Sequence, residues 1–514
     1  MVTWGDEAHV LILPATTMAL MTPQTLDPLP RLILIPKDAS LAESGAVPHT
    51  LRAVAAAVRA ANASRPTVRG LHVVDRSRPD GAVLVEPGGL TVDDVKAVAP
   101  DMKVFEEQWY DLERFDLMLP RLARSRTKAG AGAERLWTVV VRTDSAPLKD
   151  VRITAVVDTD TGVVTEAVTD RHGRAALKLG ARVTGVQALH VDPLHGAWPV
   201  MLPDVDTRGE AFEVVLPPIV ASAADARGLV YGKPKAGAGR RVTVAVVDTG
   251  VGRHDMLRIA GGRNTTGESP RRLSDWHGHG THVAGVIAAR ASGWRRGEAA
   301  SATLRAYRVF AEQADHASTF AISTAIKQAA VDGCDLINLS LGGGPADGAI
   351  RDAVDQAWQL GCVCVAAAGN DGRGQVDYPA RYPRTLAVSA IGLDGSWPDG
   401  AAQALHRGRA RGTAIDGREV FLATFSNRGA KVALTAPGVG IVSTIFNNRW
   451  GVMDGNSMAA PVATGVLARR LAATPAVRDL PRDAARSEAI VAMARAFAED
   501  VGLPRELQGD GLAR

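Results

Sequence analysis

From Arg240 onward, apolar runs of strand length alternate with helical patterns. The runs are VTVAVVD (242–248), LINLSLG (336–342), VCVAAAGN (363–370) and TLAVSAIG (385–392). Between them lie HVAGVIAARA (282–291), TAIKQAAVDG (324–333) and AIRDAVDQAWQLG (349–361), with TLRAYRVF (303–310) as a further strand. Strands that regularly return through helices need a parallel sheet covered on both faces, so an α/β fold is predicted here. Several runs end in Asp, Ser-Leu-Gly or Gly-Asn, and in such sheets ligands sit beyond the carboxyl ends of the strands.

The chain has 514 residues, too many for one ordinary core. Residues 1–120 read as strand, helix, strand, strand, helix, strand. The strands are RLILIPK (31–37), RGLHVVD (69–75), GAVLVEP (81–87) and MKVFEEQWYDL (102–112). One helix is expected at 49–61, and a second opens at Thr91-Val-Asp-Asp94 with a capping-box pattern. This is a split-βαβ α+β domain. RSRTKAGAGAE (124–134) reads as a linker. Residues 135–218 carry six short strand runs separated by turn signals, Asp160-Thr-Gly162 and Asp170-Arg-His-Gly173 among them, which predicts a small β-sandwich. Residues 219–239, ending in GKPKAGAG, read as a second linker. The α/β domain is placed at 240–474, with a helical tail at 475–514 carrying an Ile490, Met493, Phe497 stripe that docks on the body.

Net charge is only +4, which favours no nucleic-acid partner. Arg295-Arg296 and the basic run 406–411 are expected in solvated loops. Three cysteines make no disulfide framework and suit a reducing compartment. Asp6, Glu7 and Pro14 spoil a signal-peptide pattern, and no apolar run reaches the roughly 18 residues of a membrane span. The expectation is a cytoplasmic protein, with secretion as the alternative and no membrane association.

WHGHGTHVAG (276–285) holds three histidines within six residues. By spacing alone they fit a zinc site or a general base. Asp248 ends a strand ahead of Thr-Gly, His279 precedes a helical run, and Ser457 opens one in DGNSMAAP (454–461). Together an Asp, a His and a Ser lie at element ends of one sheet. A serine hydroxyl needs a base to take its proton, and the base needs a carboxylate to fix its tautomer.

These residues carry a family resemblance. DTG around Asp248, HGTHVAG from His279 and GNSMAAP around Ser457 resemble the three active-site motifs of subtilisin-like serine proteases, in that family's order. Ser340-Leu341-Gly342-Gly343 resembles the strand that pairs with substrate, and AAAGN (366–370) the oxyanion-hole motif, with Ala367 and Gly369 beside the substrate. YPARYP (378–383) and TAPG (435–438) also match. The resemblance implies peptide-bond hydrolysis by Ser457, His279 and Asp248, with Asn370 and the Ser457 N–H stabilising the oxyanion. It makes His282 a structural helix residue, leaves His277 outside the motif, and implies no metal or other cofactor at the histidines. The alternatives are a silent or latent binding and regulatory protein, and, less favoured, a metallohydrolase.

The chain departs from the family pattern at four places. Asn456 stands where the family usually has Thr, and Val462-Ala-Thr where it has His-Val-Ala. Asp377 aligns with the base of the S1 pocket and would pair with Arg or Lys at P1. ASGWRRGE (291–298) replaces the family's strong calcium loop, so that site is expected to be absent. Residues 394–420 read as an inserted surface loop with a possible regulatory contact. The N-terminal segment resembles the subtilase prodomain, an inhibitor and folding aid. TDRHGRAAL (169–177) resembles the TD-x-x-G motif of carboxypeptidase-regulatory-like sandwiches, with Asp170 and His172 as turn residues. Arg227, in the second linker, is a candidate self-processing site. The expected partners are a peptide or protein substrate and a regulatory protein.

Overall fold

In the computed structural model the described residues are 31–37, 72–77, 80–112, 134–158 and 163–514. The expected helix at 49–61, the turn at 160–162, most of the 124–134 linker and the signal-peptide region lie outside them.

The central sheet has nine strands. Strands Ile259–Asn264, Thr303–Arg308, Thr243–Asp248, Leu336–Leu339, Val363–Ala367 and Thr385–Leu393 follow one another in space, all parallel, and Val432–Pro437 pairs parallel with the last. Asp248, Ser340 and Ala367 therefore come to the same edge of the sheet. The strands Thr243–Asp248 and Val363–Ala367 are almost wholly buried, because helices cover both faces. One face packs on His279–Ala288 and Asn456–Ala473, the other on Thr319–Val331 and Gly348–Gln359.

Two expectations fail in this region. The inserted segment is not a loop: Arg407–Ile415 and Arg418–Ala423 form an antiparallel hairpin that extends the central sheet beyond Thr385–Leu393. Its alternating Arg-Gly-Arg-Ala-Arg pattern is that of a strand with one face in solvent. Residues 219–239 are not a plain linker, since Ala226–Tyr231 is a helix capped by Asp225 and buried on the α/β body. The last residues, expected as a helical tail docked on the body, pack there: Ala513 lies in the core and Leu512 bridges to Thr435. Ile490 and Met493 are buried, but the helix Ala484–Ala496 ends before Phe497, which stays exposed.

Residues 134–215 form two sheets, of four and three strands, around a shared apolar core that includes Trp137, Ile153, Leu177 and Leu189. This unit is fixed to the α/β body. Trp198 is buried with Ala401, Val442 and Val452. The Gly196 N–H donates to the Trp450 carbonyl at 2.8 Å, and Arg449 Nη1 lies 2.6 Å from His195 Nε2. Burial and the Arg449 charge push the His195 pKa down, so the ring stays a neutral acceptor.

The N-terminal sheet has strand order His72–Arg76, Val83–Glu86, Leu32–Pro36, Met102–Glu106, all antiparallel. Thr91 and Asp94 close a reciprocal capping box at the helix Val92–Val98. Residues 102–112 are two strands rather than one. Trp109–Leu112 leaves the N-terminal sheet and enters the α/β domain between His316–Ser318 and Leu341–Gly342, antiparallel to both. The N-terminal sheet itself packs through Ile33, Ile35 and Leu84 against Phe320 and Ala349 of the two helices beneath it. Within that contact, Lys327 Nζ lies 2.5 Å from Asp80 and 3.2 Å from Asp352, all three buried or nearly so.

Candidate active site

Asp248 ends its strand and His279 is the first residue of a helix. His279 Nδ1 lies 2.8 Å from Asp248 Oδ1, with both side chains buried. A carboxylate can only accept, so Nδ1 carries the proton and Nε2 keeps its lone pair. Nε2 has no hydrogen-bond partner among the described residues. The same Asp248 oxygen accepts the Thr249 N–H at 2.7 Å. The carboxylate is thereby fixed before it orients the ring.

Asp275 escaped the sequence reading. Its buried carboxylate accepts from the N–H groups of His277 and Gly278, both at 2.8 Å, and from that of Thr281 at 2.9 Å. It also accepts from the hydroxyls of Thr249 and Thr281. Thr249 follows Asp248, and Gly278 precedes His279, so Asp275 ties the loops of Asp248 and His279 together. Burial raises its pKa. The available signal was an Asp just before a helix start, a capping position that gathers free N–H groups.

Ser457 sits in the first turn of Asn456–Ala473, where unpaired helix N–H groups favour negative charge. Its Oγ lies 3.3 Å from the Ser340 carbonyl, and Ser340 Oγ donates to the Ser457 carbonyl at 2.8 Å. Ser340 thus anchors the helix of Ser457 as well as preceding the Leu341–Gly342 strand. Asn370 follows the strand Val363–Ala367, and its Oδ1 accepts the Asn456 N–H at 2.8 Å. The structure thus pairs Asp248 with His279, and joins Ser340 to Ser457 and Asn370 to the start of the Ser457 helix; it shows no hydrogen bond between His279 Nε2 and Ser457.

Asp377 lies next to Gly369. A side chain at Gly369 would collide with the Asp377 carboxylate, whose Oδ2 would be only 2.2 Å from a Cβ there. Asn427 Nδ2 donates to this carboxylate at 2.9 Å. Burial, with the Asp371 charge second, pushes its pKa up to about 6. Asp377 is half-buried and faces the segment that carries Asn370.

His282 is buried and bonded to the Ile441 carbonyl at 3.0 Å, and burial drives its pKa down to about 3. It is a neutral packing residue. Among the described residues no cluster of His, Cys, Asp or Glu could hold a metal. At the site of the expected missing calcium loop, Glu298 is buried and paired with Arg469 at 2.8 Å. Arg295, expected in solvent, is buried and donates to the Val220 carbonyl at 2.6 Å. Arg227 is also buried, bonded to Asp225 and to the Val442 carbonyl at 2.9 Å. It is therefore no accessible scissile residue, and that expectation is withdrawn. No helix among the described residues is long and apolar enough to cross a membrane.

Residues 239–507 match the subtilase family, Peptidase_S8. The match runs past Thr474, so the helices after it belong to the same family region. The chain is 36% identical over 231 residues to a thermostable alkaline protease of Halalkalibacterium halodurans, covering 45% of this chain and 56% of that protein. It is 34% identical over 245 residues to subtilisin DY of Bacillus licheniformis (46% and 79%). It is 35% identical over 242 residues to the major intracellular serine protease of Bacillus subtilis (45% and 68%). The matches span little more than half the length of several curated relatives, 54% of alkaline elastase YaB among them.

Proposed function

Because the chain belongs to the subtilase family, we propose that it is a serine endopeptidase. Ser457 Oγ attacks the scissile carbonyl and His279 Nε2 takes its proton, while Asp248 holds the ring and stabilises the imidazolium. The Asn370 amide and the Ser457 N–H receive the charge of the tetrahedral intermediate. His279 then protonates the leaving amine, and water hydrolyses the acyl-enzyme. The observation that carries this reading is the 2.8 Å His279–Asp248 contact, at the sheet edge that also bears Ser340 and Asn370. Labelling by a fluorophosphonate, lost in Ser457→Ala, tests it. Absence of labelling in processed wild type would overturn it.

The N-terminal half acts as an inhibitor. The pairing of Trp109–Leu112 with Leu341–Gly342 supports this, because it fills the edge a substrate strand would use. Tyr110 is fully buried there and donates to the Pro345 carbonyl at 2.5 Å. The burial of Ser457 favours a latent enzyme, and a regulatory partner would act by drawing this strand out. The same burial is the one observation in favour of a silent regulatory protein. The Asp377 carboxylate beside Gly369 supports a preference for Arg or Lys at P1. Cys334, Cys362 and Cys364 are buried free thiols, which fits folding in a reducing compartment.

A further inference from the structure

We propose that Asn456 is the positioning residue of the oxyanion site, and that it fixes which face of the Asn370 amide meets the substrate. This rests on the endopeptidase reading. A backbone N–H can only donate, so the Asn370 atom 2.8 Å from the Asn456 N–H is its oxygen. Asn456 Nδ2 donates to that same oxygen at 3.1 Å and to the Gly369 carbonyl at 2.5 Å. Both lone pairs of Asn370 Oδ1 are thereby engaged from the Asn456 side. The Asn370 NH₂ is left to point away from them.

Asn456 is held in turn. Its Oδ1 accepts from Ser426 Oγ at 3.0 Å, and Ser426 Oγ accepts the Ala390 N–H at 3.0 Å. Asn456 and Ser426 are fully buried, and neither can trade these bonds for water. The Asn456 side chain thus spans three segments: the helix of Ser457, the turn at Gly369-Asn370, and the Phe425-Ser-Asn loop. A threonine at 456 has one hydroxyl and cannot make all three contacts. The departure from the family residue, noted in the sequence, thus has a structural reason. Amide orientation matters because an oxyanion needs N–H donors, and a flipped Asn370 would present a repelling oxygen.

The test compares Asn456→Ala, Asn456→Thr, Asn370→Ala and the Asn370→Ala/Asn456→Ala double variant. kcat and KM are measured on a chromogenic tetrapeptide after self-processing, with crystal structures of the full-length chains. Full loss of a side-chain oxyanion donor typically costs on the order of 10²–10³ in kcat. Asn456→Ala should lose roughly tenfold or more of kcat within that ceiling, with KM nearly unchanged, and Asn456→Thr should recover part of the loss. The double variant should be no worse than Asn370→Ala alone, because the two residues act through one donor. In the Asn456→Ala structure the Asn370 amide should be rotated. An unmoved amide, or losses that multiply in the double variant, would overturn the proposal. If wild type neither cleaves nor labels but the amide still rotates in Asn456→Ala, the endopeptidase reading falls and the positioning role stands.

Discussion

Leu112 lies opposite Leu341, and Asp111 opposite Gly342, in an antiparallel pair that joins the N-terminal half to the strand following Ser340. Ser340 is also the residue whose carbonyl lies 3.3 Å from Ser457 Oγ. One short strand thus runs along the catalytic serine's own support.

Tyr110 is the anchor of that strand. Its ring packs where Gly344 has no side chain, and a Cβ there would come within 2.8 Å of it. Truncating a buried aromatic typically costs about 3–5 kcal/mol. Tyr110→Ala should loosen the strand and raise the initial rate on a small fluorogenic peptide before any processing. An unchanged rate would show that the strand does not limit access.

Self-processing should cut between Leu112 and Glu134 and spare Arg227. Intact mass of purified wild type should show this cut, and Ser457→Ala should stay whole. A fragment starting at Gly228 would contradict the burial of Arg227.

Preference for basic P1 residues should depend on pH. The Asp377 pKa is raised to about 6, so its carboxyl is neutral below that and charged above it. The ratio of kcat/KM for Arg over Leu at P1 should therefore rise as pH passes upward through about 6, since kcat/KM reports the free enzyme. Asp377→Asn should flatten the ratio. A ratio already flat in wild type would remove Asp377 from specificity.

Asp275→Ala should damage stability and catalysis together. It strips the shared acceptor from three N–H groups and two hydroxyls, each buried donor left unpaired costing about 1–3 kcal/mol. A lower melting temperature and a reduced kcat are expected, read by calorimetry and peptide hydrolysis. Wild-type kcat in a folded variant would confine Asp275 to a structural role.

Trp198→Ala should uncouple the two-sheet unit from the catalytic body, at a cost of about 3–5 kcal/mol. Limited proteolysis should then release residues 134–215 as a separate piece. Resistance equal to wild type would mean that other contacts suffice.

The sequence made the candidate centre legible because its motifs are local. Asp248, His279 and Ser457 each sit in a short motif whose glycines and small residues announce a tight turn or a helix start. What stayed hidden depends on distant partners. Arg227 looked like an accessible basic residue because its partner at the Val442 carbonyl is set by tertiary packing. The Arg407–Ile415 strand was masked by its arginines, which only an exposed strand face tolerates. Gln108 gave no turn signal, so the break between Met102–Glu106 and Trp109–Leu112 showed only once the second strand found partners in another domain. Asp275 was readable in principle, as an acidic residue ahead of a helix, but its bonds to Thr249 were not.

The two attachments of the catalytic body differ in kind, and the difference bears on what happens after a cut. The Trp198 contact is oily, and parting it would leave a sticky patch on both pieces. The N-terminal contact is apolar as well, through Ile33, Ile35, Leu84, Phe320 and Ala349, but it also buries Asp80 against Lys327 and Asp352 of the body, charged groups that water accepts readily once the two sides part. A severed N-terminal sheet would therefore give its buried Asp80 charge to water together with its apolar face.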